Sequence, residues 1–169
     1  MTHNNSQPDV GSDTHANLVN EVAASVKILG VDFLAFSAKR QLDAPWPMLV
    51  HYRHSTSAEA CGGEQPTIRV VADFVMQAKP KEGDSGEVFC EIACTLALTY
   101  TSPKAMGFTA EHLQAFADAN GIYNAWPYWR EFVQSATARM GLPPLMVPSY
   151  RLVSTDEEQS DEGEKETSK

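Results

Sequence analysis

Residues 124–144, N-A-W-P-Y-W-R-E-F-V-Q-S-A-T-A-R-M-G-L-P-P, constrain the fold more than any other stretch. Asn124 suits an N-cap, because its side chain can accept from a free first-turn amide. Pro127 then falls in the first turn, where no intrahelical bond is lost. Gly141 can take the left-handed conformation that ends a helix, and Pro143 forbids continuation. Stepping about 100° per residue, Trp126, Tyr128, Trp129, Phe132, Val133, Ala136 and Met140 share an arc of roughly 160°. Arg130, Glu131, Gln134, Ser135, Thr137 and Ala138 fill the other side. Arg139 intrudes near the apolar edge, where it can meet the helix dipole and snorkel. A helix resting on one sheet needs a stripe of only about 100°. The wider arc predicts a helix with two apolar neighbours, with a core helix in a monomer as the alternative.

Upstream, the period changes from helical to two. Residues 27–37 put Leu29, Val31, Phe33 and Ala35 on one face and Asp32 on the other. Residues 48–56 alternate Met48, Val50 and Tyr52 with His51 and Arg53, and a loop follows over 57–66. Residues 67–79 set Ile68, Val70, Ala72, Phe74 and Met76 against Thr67, Arg69, Asp73 and Gln77. After the turn residues Pro80, Gly83 and Gly86, residues 87–101 return with Val88, Cys90, Ile92, Cys94, Leu96, Leu98 and Tyr100 inward. Glu87, Phe89, Glu91, Thr95 and Thr99 point outward. Strands joined without intervening helices imply an antiparallel sheet. A short helix is expected over 16–24, and another over 109–120 with Gly121 as its stop. The expectation is an α+β domain over 16–153: a four-stranded antiparallel sheet followed by a long helix. Residues 1–15 read as an unstructured start, and 154–169 as an acidic, unstructured tail.

At 169 residues and 43% hydrophobic, the chain can bury a single-domain core. The net charge of −9, much of it in the tail, opposes nucleic acid and anionic membranes. No run approaches the roughly 20 apolar residues of a membrane span, and the start has no signal-peptide pattern, so a cytoplasmic protein is expected. Cys90 and Cys94 are about 13 Å apart on one strand face. That exceeds the roughly 7 Å limit between disulfide Cα atoms, so with Cys61 they read as free thiols.

Chemistry is sparse. Two of the five histidines, His3 and His15, lie in the polar start, and His51 and His54 point to opposite faces. Glu111 beside His112 reads as a solvated helix start. The chain has no H-E-x-x-H, phosphate loop, G-x-S-x-G or paired C-x-x-C. These patterns predict a non-enzyme without cofactor or metal. Aromatic side chains and methionine adapt instead to varied apolar partners.

W-P-Y-W-R-E-F-V followed by A-R-M-G-L-P-P-L-M-V-P resembles the SecB export chaperones, whose long helix opens with an aromatic-Pro-Tyr-x-Arg-Glu motif. V-F-C-E-I and V-K-I-L-G-V-D-F resemble strand segments of that family, and the resemblance spans about residues 25–150. It implies an ATP-independent holdase that binds unfolded preproteins and delivers them to the SecA motor. It also implies a homotetramer, a dimer of dimers, whose interface uses the long helix. Trp126, Tyr128, Trp129, Phe132, Val133 and Met140 become the oligomer and client-binding candidates. An acidic sheet surface docks SecA in such proteins; Asp32 and Glu91 match it, and Asp73 shares the same outer face. The family's further acidic residue on the first strand has no counterpart over 34–36. The chain also passes from Leu152 almost directly into the acidic tail, where export SecB proteins carry another helix. That shorter end is similar to SecB-like proteins that chaperone the antitoxin of a toxin–antitoxin pair, the first alternative. A small-ligand-binding α+β domain, marked by a defined internal pocket, is the second.

Overall fold

The computed structural model describes residues 10–43, 47–81 and 87–150. A first helix, α1 (Val10–Ala23), precedes four strands: β1 (Lys27–Arg40), β2 (Met48–Cys61), β3 (Thr67–Pro80) and β4 (Cys90–Thr101). A one-turn 3₁₀ segment (Ala105–Gly107) leads into α2 (Ala110–Phe116), a π-helical stretch (Ala117–Gly121) and α3 (Ile122–Arg139). The strands form one antiparallel sheet in the order β1-β4-β3-β2, giving the expected α+β architecture. Helix α1 starts at Val10, so residues 10–15 belong to a helix rather than to an unstructured start. Residues 1–9 and the acidic tail 154–169 lie outside the described residues.

The central strands behave as their alternation predicts. Ile68, Val70, Ala72, Phe74 and Met76 of β3 and Ile92, Cys94, Leu96, Leu98 and Tyr100 of β4 are buried under the helices. Strand β2 runs five residues further than expected, through Cys61, because Ala58 and Ala60 continue its inward face and pack against the core. Strand β4 begins later, at Cys90, although the Phe89 amide still donates to the Ala78 carbonyl.

Strand β1 departs from strict alternation. Its pairing with β4 shifts between Ile28 and Gly30 and again between Phe33 and Ala35. Each shift leaves one extra residue, Leu29 and then Leu34, and an extra residue inverts the alternation beyond it. Ile28, Val31, Phe33 and Phe36 therefore sit beside Tyr100, Leu98, Leu96 and Cys94 on the helix side. Ala35, expected inward, moves to the outer face beside Thr95.

The helical region also differs at its start. Gly121 does not stop a helix: its φ of −60° and ψ of −52° are helical, and the π stretch joins α2 directly to α3. A Cβ at Gly121 would lie 2.8 Å from Val70 Cγ1, so glycine serves close helix-to-sheet approach here. Asn124 is consequently inside α3 rather than its cap, and its amide donates to the Tyr100 hydroxyl at 3.1 Å. Pro127 is interior as well and removes one ladder bond. At the other end, Gly141 has φ +70°, with Gly141 N–H on the Ala138 carbonyl and Leu142 N–H on the Thr137 carbonyl. This is the expected left-handed termination, in its Schellman form.

Candidate interaction surfaces

The sheet's two faces carry different chemistry, and α3 determines how much of the inner face is covered. Its buried line is Ile122, Ala125, Trp129, Val133, Ala136 and Thr137, a one-stripe pattern seated on the central strands. Trp129 stacks on Phe74 with ring centres 5.3 Å apart. Trp129 and Val133 are thus core residues that another chain cannot reach, a correction to their place among the oligomer candidates. Trp126, Phe132 and Met140 are half-buried, and Tyr128 is 45% exposed. Thr137, assigned to the polar side, is buried. The segment after α3 folds back over it, and its hydroxyl accepts from the Leu145 amide while donating to the Val133 carbonyl.

Strand β1 is an edge strand that α3 leaves largely uncovered. Phe33, Leu34 and Phe36 are exposed, Phe36 by 69%, together with Ile28 and Leu29. The Phe33, Phe36 and Phe132 rings form a triangle with centres 5.6–6.2 Å apart. With Tyr128 alongside on α3, this is a continuous apolar surface crossing from sheet edge to helix. The sequence motif for it was present in F-L-A-F, but regular alternation concealed that Leu34 sits in a bulge and Phe36 faces the helix.

The outer face gathers the three acidic candidates. Asp32 lies opposite Ala97, and Asp73 opposite Thr95, on either side of β4. Glu91 lies four residues along β4 from Thr95, about 13 Å away. The Thr95 hydroxyl donates to Asp73 at 2.5 Å, and the Gln77 amide donates to Glu91 at 2.7 Å. Lys39 is the cross-strand neighbour of Glu91 and offsets part of its charge. Ala35, Ser37, Ala93, Thr95 and Ala97 keep the surface between these carboxylates shallow.

Among the described residues, no group of three His, Cys, Asp or Glu could hold a metal ion. His51 and His54 do occupy opposite faces, and His54 packs against Phe74, Trp126 and Tyr150. His112 bridges the Thr109 hydroxyl and the Glu21 carboxylate at 3.2 Å, tying α2 to α1; Glu111 is not its partner. Burial pushes the Cys94 thiol up to about 12, with the nearby Asp73 charge adding to the rise. Cys90 is raised by burial too, opposed by Arg40, and all three cysteines are free. A cavity of about 280 Å³ under the returning segment is lined by Met48, Met76, Cys90, Leu142, Pro143 and Leu145, among others. It lies just below the roughly 300 Å³ at which small-molecule pockets begin. No described helix is long and apolar enough to cross a membrane.

No family model matches the chain, and no curated protein matches it in sequence. Its structure is similar to that of the Mycobacterium tuberculosis Rv1957 SecB-like chaperone in complex with a ChAD peptide from the Rv1956 HigA1 antitoxin. The TM-score is 0.69 at 19% identity, over 82% of this chain and 99% of that one. The fold is therefore SecB-like.

Proposed function

We propose that this SecB-like fold serves as a non-enzymatic, ATP-independent cytoplasmic chaperone that holds unfolded polypeptide. The apolar surface formed by β1, Tyr128 and Phe132 carries the reading. An uncovered edge strand with large apolar residues is a liability that soluble proteins cover or use. Extended, unfolded chains offer both the backbone groups that pair with a sheet edge and the side chains that bury against such a surface. Part of the surface is assigned to self-assembly: two β1 edges joined about a two-fold axis, and pairs joined through α3, give the homotetramer. Trp126, Tyr128, Phe132 and Met140 remain the α3 residues available to a second copy or a client. The carboxylates Asp32, Asp73 and Glu91, on the opposite face, would dock a basic element of SecA for delivery of preproteins.

The test is retention of an unrelated, slowly folding client with no nucleotide present. Suppressed aggregation is expected, weakening only modestly with salt because apolar burial dominates. Failure to hold any unfolded client would overturn the reading. A second reading, a chaperone dedicated to an antitoxin, is favoured by the peptide bound in the matching structure. It predicts tight capture of one antitoxin segment and no SecA binding. The absence of a further helix after Leu152, which suggested this alternative, concerns residues outside those described.

A further inference from the structure

The segment after α3 is gripped by two side chains one helical turn apart. Trp126 Nε1 donates to the Pro148 carbonyl and Arg130 Nε to the adjacent Val147 carbonyl, each at 2.8 Å. Between helix and segment they leave a pocket of about 270 Å³ lined by Tyr123, Trp126, Pro127, Arg130, Ser149 and Tyr150. Asn124 also lines it, but its amide is committed to Tyr100. Trp126 and Tyr150 pack with ring centres 5.0 Å apart, giving the pocket an aromatic wall.

Arg130 is the distinctive group. Among the described residues the ion pairs are Arg69–Glu59 and His112–Glu21, so Arg130 has no carboxylate partner. Its Nε is occupied by a backbone carbonyl, which orients the guanidinium and leaves its two terminal nitrogens to bind. A guanidinium held in this way presents a planar fork matched to a carboxylate. Hydroxyls of Tyr123, Ser149 and Tyr150 add donors at the rim, while the rings accept an apolar side chain.

We propose that this pocket binds the C-terminal carboxylate of a polypeptide, with Arg130 as the anion-binding group and Trp126 and Tyr150 flanking the terminal side chain. A terminal residue brings its carboxylate and side chain into the space of one residue, which this volume suits. An internal acidic residue must also carry the chain in and out. The inference rests on the chaperone reading only in taking the ligand to be a peptide.

The test uses the full-length protein and matched apolar-aromatic peptides: one with a free C-terminal carboxylate, one amidated, and one amidated with an internal Glu. Binding is read by calorimetry and by tryptophan emission, to which Trp126 contributes. The free acid should bind about ten- to a hundredfold tighter than the amide, the scale of a charge-assisted bidentate contact. The internal-Glu peptide should behave as the amide. Arg130→Gln should erase the difference and Arg130→Lys should retain a small part of it. Ser149→Glu, which leaves both gripping contacts in place, should erase it too, and this variant decides the matter should Arg130→Gln fail to fold. Equal binding of acid and amide, a ratio unchanged in folded variants, or acid-like binding of the internal-Glu peptide would each overturn the proposal. Aggregation suppression is measured on the same samples. Suppression without an acid–amide difference overturns only the pocket; an Arg130-dependent difference without suppression overturns only the chaperone reading.

Discussion

Phe36→Ala is the substitution that most directly tests whether the β1 edge is covered by another copy. Phe36 is 69% exposed in the protomer. An aromatic side chain carries about 150–250 Å², so roughly 140 Å² remains to be buried on each copy. At about 25 cal/mol per Å² that is about 3.5 kcal/mol per copy, and a two-fold interface counts it twice. Ordering and imperfect desolvation absorb part of this, so about 2 kcal/mol per copy is a working value. The sum, about 4 kcal/mol, corresponds to roughly a thousandfold weaker dimerisation. The isolated protomer should lose no more than about 1.5 kcal/mol, chiefly from the edges shared with Phe33 and Phe132. Sedimentation across a concentration series gives the dissociation constants. Met106→Ala is the control, because Met106 is 65% exposed but lies in the turn before α2. A wild type that is monomeric at micromolar concentration, or equal shifts for Phe36→Ala and Met106→Ala, would refute the reasoning.

Gly121→Ala should destabilise the protomer by about 1–3 kcal/mol, because its Cβ meets Val70 Cγ1 at 2.8 Å, and Val70→Ala should make the second change nearly neutral in a denaturation cycle. Thr137→Val should cost about 1–3 kcal/mol by leaving the Leu145 amide without its acceptor, and hydrogen exchange at Leu145 should report it. The Cys94 pKa is raised from 9.0 to about 12 in the fold, so the native state holds its proton more tightly. Its contribution is complete below about pH 9 and is lost as pH rises towards 12, by no more than about 1.4 kcal/mol per pH unit. Cys94→Ala should flatten that part of the stability profile. On the proposed docking of SecA to the outer face, Asp32→Lys with Glu91→Lys should slow that association at low salt and spare client holding, as parallel binding measurements would show.

The central strands were legible because both of their neighbours are strands and one face is covered, so period two maps directly onto burial. The helix terminus at Gly141 was legible for an equally local reason: a positive φ has few substitutes for glycine. The entry to α3 was not. Gly121 carries the sequence mark of a stop, yet its small size serves packing against Val70, a contact 51 positions away in the chain. Asn124, read as a cap, answers to Tyr100 instead. The β1 bulges were hidden for a related reason: Leu29, Val31, Phe33 and Ala35 read as a regular alternation, while Ile28, Leu34 and Phe36 are apolar too, so an inserted residue does not stand out. Of the candidate residues, the three carboxylates lie on one outer face but at separate positions along it, while Trp129 and Val133 are core.

That division separates two roles on one sheet. Among the described residues, α3 covers the inner face over β3 and β4 and reaches β1 through Phe132, leaving Phe33 and Phe36 partly exposed. The outer face is smoother: its centre is built from Ala, Ser, Thr and the short branched Val71 and Val75, with Asp73 held by Thr95 and Glu91 by Gln77. A surface of that kind can meet a charged partner without competing for the apolar edge. On the proposed function, client binding and partner docking would therefore use opposite sides of the same four strands.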